Sequence, residues 1–210
     1  RVACAITGGL TEIACRALAA VSGAPILQVS YRGGPQALND LVNGEVQLRV
    51  VNAYSKTNYP LEPTLFFEFH GISDVAVEDQ IRAVEEIARE NGAKGFKWAS
   101  SLDDRNTLWQ ARHNAYYAAV ASRPGARAWT TDVCVPISHL AQCISETQED
   151  LKTHQVEAPL VGHAGDGNFH LIIMLNPDDP AELALITGIS ERLVERALKY
   201  GGTCTGEHGV

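Results

Sequence analysis

The sequence predicts an α+β sandwich, and three observations lead there. Between Leu65 and Tyr200, runs rich in aromatic and β-branched residues alternate with runs whose apolar residues recur at helical spacing. The strand-like runs are followed by helices that can return across them, with no low-complexity tract or obvious linker between. Composition is that of an ordinary globular chain. Of 210 residues, 45% are hydrophobic and 20% charged, enough for a core and too apolar for extended disorder.

Residues 1–48 read differently from the remainder. Thr11 to Val21 suits a small-residue helix and Ile26 to Ser30 a short strand. Tyr31-Arg-Gly-Gly-Pro35 is a turn leading into a helix through Leu41, and Asn43-Gly44 opens another strand. The piece is too short for a comfortable domain of its own.

From Pro63 to His70 the chain is aromatic and β-branched and stops at Gly71, which predicts a strand. A helix follows with Val77, Ile81, Val84 and Ala88 on one face and Asn91-Gly92 as its end. Gly95 to Ala99 reads as a second strand, and Ser101 with Asp104 as a capping-box-like helix start. Trp129 to Val135 has β character and ends at Pro136; Ser138 then caps a helix carrying Leu140, Ile144, Thr147 and Leu151. Ala158 to Val161 and Phe169 to Leu175 are strands around a tight turn. Asp179-Pro180 supplies the N-cap and first-turn proline of a helix that buries Ile186, Ile189, Leu193 and Ala197, and Gly201-Gly202 ends it. Ferredoxin-like is the expected form of this α+β arrangement.

Charge and cysteines narrow the function classes. With 17 Lys and Arg against 25 Asp and Glu, the formal net charge is −8, which argues against bulk attraction to nucleic acid or anionic membrane. No apolar run approaches the roughly 18 residues of a membrane span. Five cysteines with no CxxC spacing argue against a disulfide framework or a thiolate zinc cluster. The chain starts at Arg1 and stops at Val210 inside a glycine-rich stretch, and both ends read as cut.

The segment richest in chemistry is Val161-Gly-His-Ala-Gly-Asp-Gly-Asn-Phe-His170. Gly165 and Gly167 oppose a helix, and Asp166-Gly167 is a favoured two-residue hairpin turn. Counting back from that turn sets His163 opposite His170, where Cβ atoms lie roughly 4.5–5.5 Å apart. Two imidazoles so placed could share a divalent cation, or could be two hydrogen-bonded surface histidines. The metal reading needs a third ligand, and Glu207 sits in a glycine-rich loop where backbone can approach closely. His208 beside it would then be free as a general base, against the plainer reading of an ordinary polar loop. Arg112 shares a helical face with Trp109, Tyr116 and Ala119, so it either snorkels, pairs within the protein, or meets an anion such as a carboxylate. Asp132 to Pro136 reads as a strand end near a site, although Cys134 there reads as core.

Residues from about Asn52 to Val210 resemble the C-terminal domain of FAD-linked oxidases of the D-lactate dehydrogenase type, related to glycolate oxidase subunits and D-2-hydroxyglutarate dehydrogenases. The matching pieces are Tyr54-Ser-Lys, Pro63 to Gly71, Trp109-Gln-Ala-Arg-His-Asn114, Thr131 to Pro136, Gly162 to His170 and Gly202 to Gly209. The resemblance implies that His163, His170 and Glu207 bind a divalent metal, zinc or manganese. It further implies that His208 is the catalytic base, that Arg112 holds the substrate carboxylate, and that Asn168 lines the substrate site. A D-2-hydroxy acid, FAD held mainly by another domain, and a quinone or cytochrome acceptor complete the implied chemistry. The expected location is cytoplasmic, peripheral at the inner membrane.

Residues 1–48 resemble instead a piece of a Bug-type periplasmic solute-binding protein, through Gly8 to Glu12, Gly23 to Pro35 and Ala37 to Leu48. The expectation is a composite joined near residues 48–52, with little turnover by the 210 residues alone. The alternatives are a carboxylate-binding solute-binding protein and a non-catalytic fusion remnant.

Overall fold

The computed structural model describes residues 4–6, 28–30, 39–42, 44–67, 69–90, 92–93, 95–96, 103, 106, 109–110 and 113–206. Strands β1 (Cys4–Ile6) and β2 (Gln28–Ser30) form a small parallel pair. Next come β3 (Asn39–Val42), α1 (Gly44–Ser55), β4 (Thr64–Phe67), α2 (Asp74–Glu90) and α3 (Ala115–Ala121). Then follow β5 (Arg127–Thr130), β6 (Val133–Cys134), α4 (Ile137–Thr153), β7 (Leu160–His163), β8 (Asn168–Leu175) and α5 (Pro180–Lys199). The main sheet has six strands in the order β4-β3-β7-β8-β5, with β6 also on β8, and every pairing in it is antiparallel. The α+β class expected from the sequence is the one observed.

The core lies between this sheet and the helices α4 and α5. Strand alternation turns Phe169, Leu171, Ile173 and Leu175 of β8 to one side. There they join Leu140, Cys143 and Leu151 of α4 and Ile186, Ile189, Leu193 and Ala197 of α5 in one cluster. The α5 residues recur at helical spacing as the sequence indicated. The cap is also as expected: Asp179 accepts hydrogen bonds from the Ala181 and Glu182 amides at 2.9 and 3.2 Å. A smaller cluster of Val51, Ala115 and Ala118, with Val161 packed against it, joins α1, α3 and β7. The buried Gln47 side chain ties α1 to α3 through the Ala115 carbonyl at 3.2 Å.

Three local readings need correction. Leu41 lies in β3, not a helix, because β3 is flanked by β4 and β7 and both edges of its backbone are paired. The strand expected after Asn43-Gly44 is the helix α1, whose Gln47, Leu48 and Val51 are buried on one face. Tertiary burial outweighs the β-branched bias of its valines. Helix α4 starts at Ile137 after Pro136 and has no side-chain cap, so Ser138 is in its first turn and not its N-cap. The helix expected at Thr11–Val21 and the cap at Ser101 and Asp104 lie outside the described residues, and of the strand expected at Gly95–Ala99 only residues 95 and 96 are described, in no regular element.

Helices α4 and α5 are also clamped by charge. Asp150 takes a two-point grip from Arg192 (Nη2 to Oδ1 2.9 Å, Nε to Oδ2 3.0 Å) and a further bond from Arg196 at 3.2 Å. Burial alone would push the Asp150 carboxyl up, but the hydrogen bonds and charges of Arg192 and Arg196 outweigh it and hold the carboxyl below its ordinary 3.8. A depressed carboxylate stabilises the fold above its unfolded value and loses that contribution as pH falls through its folded value. Arg192→Ala should therefore lower stability at neutral pH, and the deficit should shrink below about pH 4. Urea denaturation of both proteins across pH 3 to 7 checks this; a deficit independent of pH would contradict it.

Candidate active site

The site starts from a break in a strand. β5 ends at Thr130 opposite Ile172, and β6 begins at Val133 opposite Phe169. The register carries through, which sets Thr131 opposite Leu171 and Asp132 opposite His170. Thr131 donates its amide to the Leu171 carbonyl at 3.1 Å. The Leu171 amide replies to the Thr131 hydroxyl at 2.9 Å, where a regular ladder would use the carbonyl. The Thr131 carbonyl is thereby available to accept from His170 Nδ1 at 3.0 Å. A carbonyl only accepts, so Nδ1 carries the proton and Nε2 is the lone-pair nitrogen of the neutral ring. His170 is buried.

The hairpin corrects the expected register. His163 faces Asn168, and His170 faces Val161, so the direct His163–His170 pair does not form. In place of a two-residue turn there is a loop of residues 164–167. It closes with Asp166 N to His163 O at 3.0 Å and Gly167 N to Ala164 O at 3.4 Å. The cause is tertiary. The Gly167 carbonyl accepts from the Val135 amide at 2.9 Å, and Gly167 adopts a left-handed φ of 75°. The partner shift is two positions, so side-chain parity survives: His163, Asn168 and His170 remain on one face of the sheet. Diagonal neighbours of this kind lie roughly 7–8 Å apart at Cα, within reach of one bound ion for side chains as long as histidine.

Asn168 is buried, and its amide donates to Asp132 Oδ1 at 2.8 Å and to the Val133 carbonyl at 3.1 Å. Both partners only accept, which fixes the nitrogen and leaves Oδ1 as the free arm. That oxygen has no hydrogen-bond partner among the described residues. Asn168 can therefore receive a hydrogen bond but has no donor left to offer a carboxylate.

The chain after α5 returns to the same place. Cys134 and Thr203 exchange backbone hydrogen bonds at 3.1 and 2.8 Å, and the Gly206 amide donates to Asp132 Oδ2 at 3.0 Å. A Cβ on Gly206 would fall 2.0 Å from Asn168 Nδ2, so only glycine fits this approach. Cys134, expected in the core, is half-buried and donates its Sγ–H to the Asp166 carbonyl at 3.2 Å. Burial pushes its thiol up, with the Asp166 and Asp132 charges adding to it.

Of the residues singled out from sequence, His163, Asn168 and His170 share one face. Arg112, Glu207 and His208 lie outside the described residues. Near Arg112, the Trp109 and His113 rings stack at 6.0 Å, and Ala119 is buried while Tyr116 is exposed. Among the described residues no three His, Cys, Asp or Glu side chains converge as a metal cluster. Two imidazoles on one face, one with its Nδ1 proton committed to a carbonyl, fit part of a divalent-metal site and call for a ligand from elsewhere. Thr131, Asp132 and Gly206 were not singled out as site residues. Asp132 stood out only as part of a strand end near a site, and no spacing rule connects it to residues 168, 170 and 206.

The model of FAD linked oxidases, C-terminal domain, matches residues 28–210, and this chain belongs to that family. A probable mitochondrial D-lactate dehydrogenase of Danio rerio is 46% identical over 184 residues, covering 88% of this chain and 37% of that protein. The mitochondrial D-lactate dehydrogenase [cytochrome] of Arabidopsis thaliana is 39% identical over 166 residues, covering 79% of this chain and 29% of that protein. A glycolate oxidase subunit of Escherichia coli strain K12 is 26% identical over 180 residues, covering 85% and 34%. The chain thus spans about a third of the length of these relatives. In fold it is similar to 4-ethylphenol oxidase from Gulosibacter chungangensis, with a TM-score of 0.60 at 14% identity, covering 92% of this chain and 42% of that one. The family match takes in residues 28–48, and β3 from that stretch lies within the main sheet. No helix among the described residues is long and apolar enough to cross a membrane.

Proposed function

We propose that these residues form the substrate- and metal-binding part of an FAD-dependent D-2-hydroxy-acid dehydrogenase that takes D-lactate to pyruvate. The observation that supports it best is the shared face of His163 and His170, with the His170 Nδ1 proton held by the Thr131 carbonyl. The names of the relatives at 46% and 39% identity favour D-lactate among the 2-hydroxy acids. In this reading His163, His170 and Glu207 hold zinc or manganese. Bound there, the metal would acidify the substrate hydroxyl, and FAD, held mainly outside these residues, would accept the hydride.

The chain's own residues then divide the work. Arg112 grips the substrate carboxylate through two parallel N–H bonds and so orients the α-carbon. His208 takes the hydroxyl proton. Asn168 contributes only its Oδ1, as an acceptor. Electrons leave to a quinone or cytochrome, and a cytoplasmic site peripheral to the inner membrane is part of the same proposal, although the two D-lactate dehydrogenases named above are called mitochondrial. The 210 residues alone are proposed to give little turnover.

Acceptor-dye reduction by a full-length, flavin-loaded protein that contains these residues together with its flavin-holding domain tests the reading. D-lactate should support it and L-lactate should not. Arg112→Lys should lower kcat/KM by roughly a hundredfold, because a single ammonium cannot reproduce the two-point grip. No reduction with D-lactate, glycolate or D-2-hydroxyglutarate would overturn the proposal. Carboxylate binding without any reduction would favour the solute-binding alternative.

A further inference from the structure

Asp132 occupies a position that the hydride-transfer reading leaves without a role. Its carboxylate is the meeting point of three segments that are far apart in sequence. Oδ1 accepts from the Asn168 amide at 2.8 Å, and Oδ2 accepts from the Gly206 backbone at 3.0 Å. Oδ1 also lies 3.4 Å from His170 Nδ1, as expected for residues directly opposed across a ladder. The Asp132 side chain is only 9% exposed, so these partners are held in a medium that strengthens them and makes their loss costly.

We propose that Asp132 is the positioning residue that registers the C-terminal loop against the histidine strand. Each oxygen serves one side of that junction. Oδ1 fixes the Asn168 amide and with it the acceptor arm that Asn168 presents. Oδ2 seats Gly206, the residue immediately before Glu207, at the edge of the same face. The strand break supports this arrangement from below. Because the Thr131 hydroxyl completes the ladder to Leu171, the Thr131 carbonyl can hold His170 while Asp132 reaches the loop. The Cys134–Thr203 bridge brings the loop alongside β6, but it ends three residues short of Gly206, and Asp132 makes the next connection. In so far as the loop is to deliver Glu207 to the metal, this inference rests on the function proposed above. The registration of the loop does not.

Asp132→Asn separates the two. A carboxamide has one accepting oxygen, so it cannot receive both the Asn168 amide and the Gly206 amide; one of them meets an N–H instead. Hydrogen exchange of the Gly206 amide in the purified, metal-free protein reads registration directly, and zinc or manganese titration reads its consequence. Exchange at Gly206 should rise at least tenfold in Asp132→Asn, and metal affinity should fall roughly 10–100-fold, the usual effect of losing a residue that orients ligands. Leu193→Ala, destabilised in the core at an apolar side chain that makes no hydrogen bond to the loop, should keep wild-type metal affinity below its melting transition. Unchanged Gly206 exchange in Asp132→Asn would overturn the proposal. So would an equal loss of metal affinity in Leu193→Ala, since it would trace the effect to general destabilisation. If the wild type binds no metal but Asp132→Asn still releases Gly206, the metal reading fails and the registering role of Asp132 stands.

Discussion

Protein purified with His170 replaced by alanine should retain almost no zinc or manganese, while the wild type carries one equivalent. The His170 ring is buried and its Nδ1 is committed to the Thr131 carbonyl, so in the proposed site the metal bond falls to Nε2. Losing a residue that merely orients ligands costs roughly 10–100-fold in affinity, so losing a ligand should cost at least about a hundredfold. His163→Ala, on the same face but the neighbouring strand, should behave alike. His139→Ala serves as control: its ring stacks on Tyr200 at 5.0 Å, and it belongs to α4, not to the hairpin strands. Elemental analysis after exhaustive dialysis measures all four proteins. Metal retained equally by wild type and by both hairpin variants would remove the site.

The second large effect concerns stability. Gly167 has a φ of 75°, and a Cβ there would lie 2.0 Å from the Val135 carbonyl oxygen. Alanine at this position carries about 1–2 kcal/mol for left-handed backbone. It must also push the hairpin loop off the β6–α4 junction, endangering the Val135 N to Gly167 O bond of 2.9 Å, worth about 0.5–1.5 kcal/mol net. A total loss of about 1.5–3.5 kcal/mol is expected, near the upper range for single substitutions. Gly125→Ala separates the two contributions, because Gly125 has a φ of 84° but nothing within 4 Å of its Cβ position. It should show the backbone cost alone. Chemical denaturation of both variants gives the difference, and equal losses would mean that the close approach of Gly167 to Val135 contributes nothing.

Those two positions show where local pattern carries the argument and where it stops. The heptad-like spacing of Ile186, Ile189, Leu193 and Ala197, and the Asp179-Pro180 start, were legible because a helix face and its cap depend on residues a few positions apart. The same holds for α2, with Ile81, Val84 and Ala88 buried and the chain turning at Gly92. The histidine hairpin was legible as a hairpin, and its two histidines as sharing a face. Its register was not, because the length of the loop depends on Gly167 meeting Val135, a contact across 32 positions. Parity protected the functional reading from that error: a slip of two residues keeps every side chain on its face, whereas a slip of one would have separated His163 from His170.

By itself, then, the sequence determined the α+β class, the helices whose apolar residues lie within one or two turns of each other, and the hairpin that carries His163 and His170. Only the tertiary structure decided that residues 39–42 are a strand within the sheet and that Gly44–Ser55 is a helix. It alone placed Thr131, Asp132, Asn168 and Gly206 in one hydrogen-bonded junction. The physical reason is common to all of these. Local propensity differs by less than about 1 kcal/mol between states for most residues. Satisfying a buried backbone edge or carboxylate is worth more, and its partners can come from anywhere in the chain.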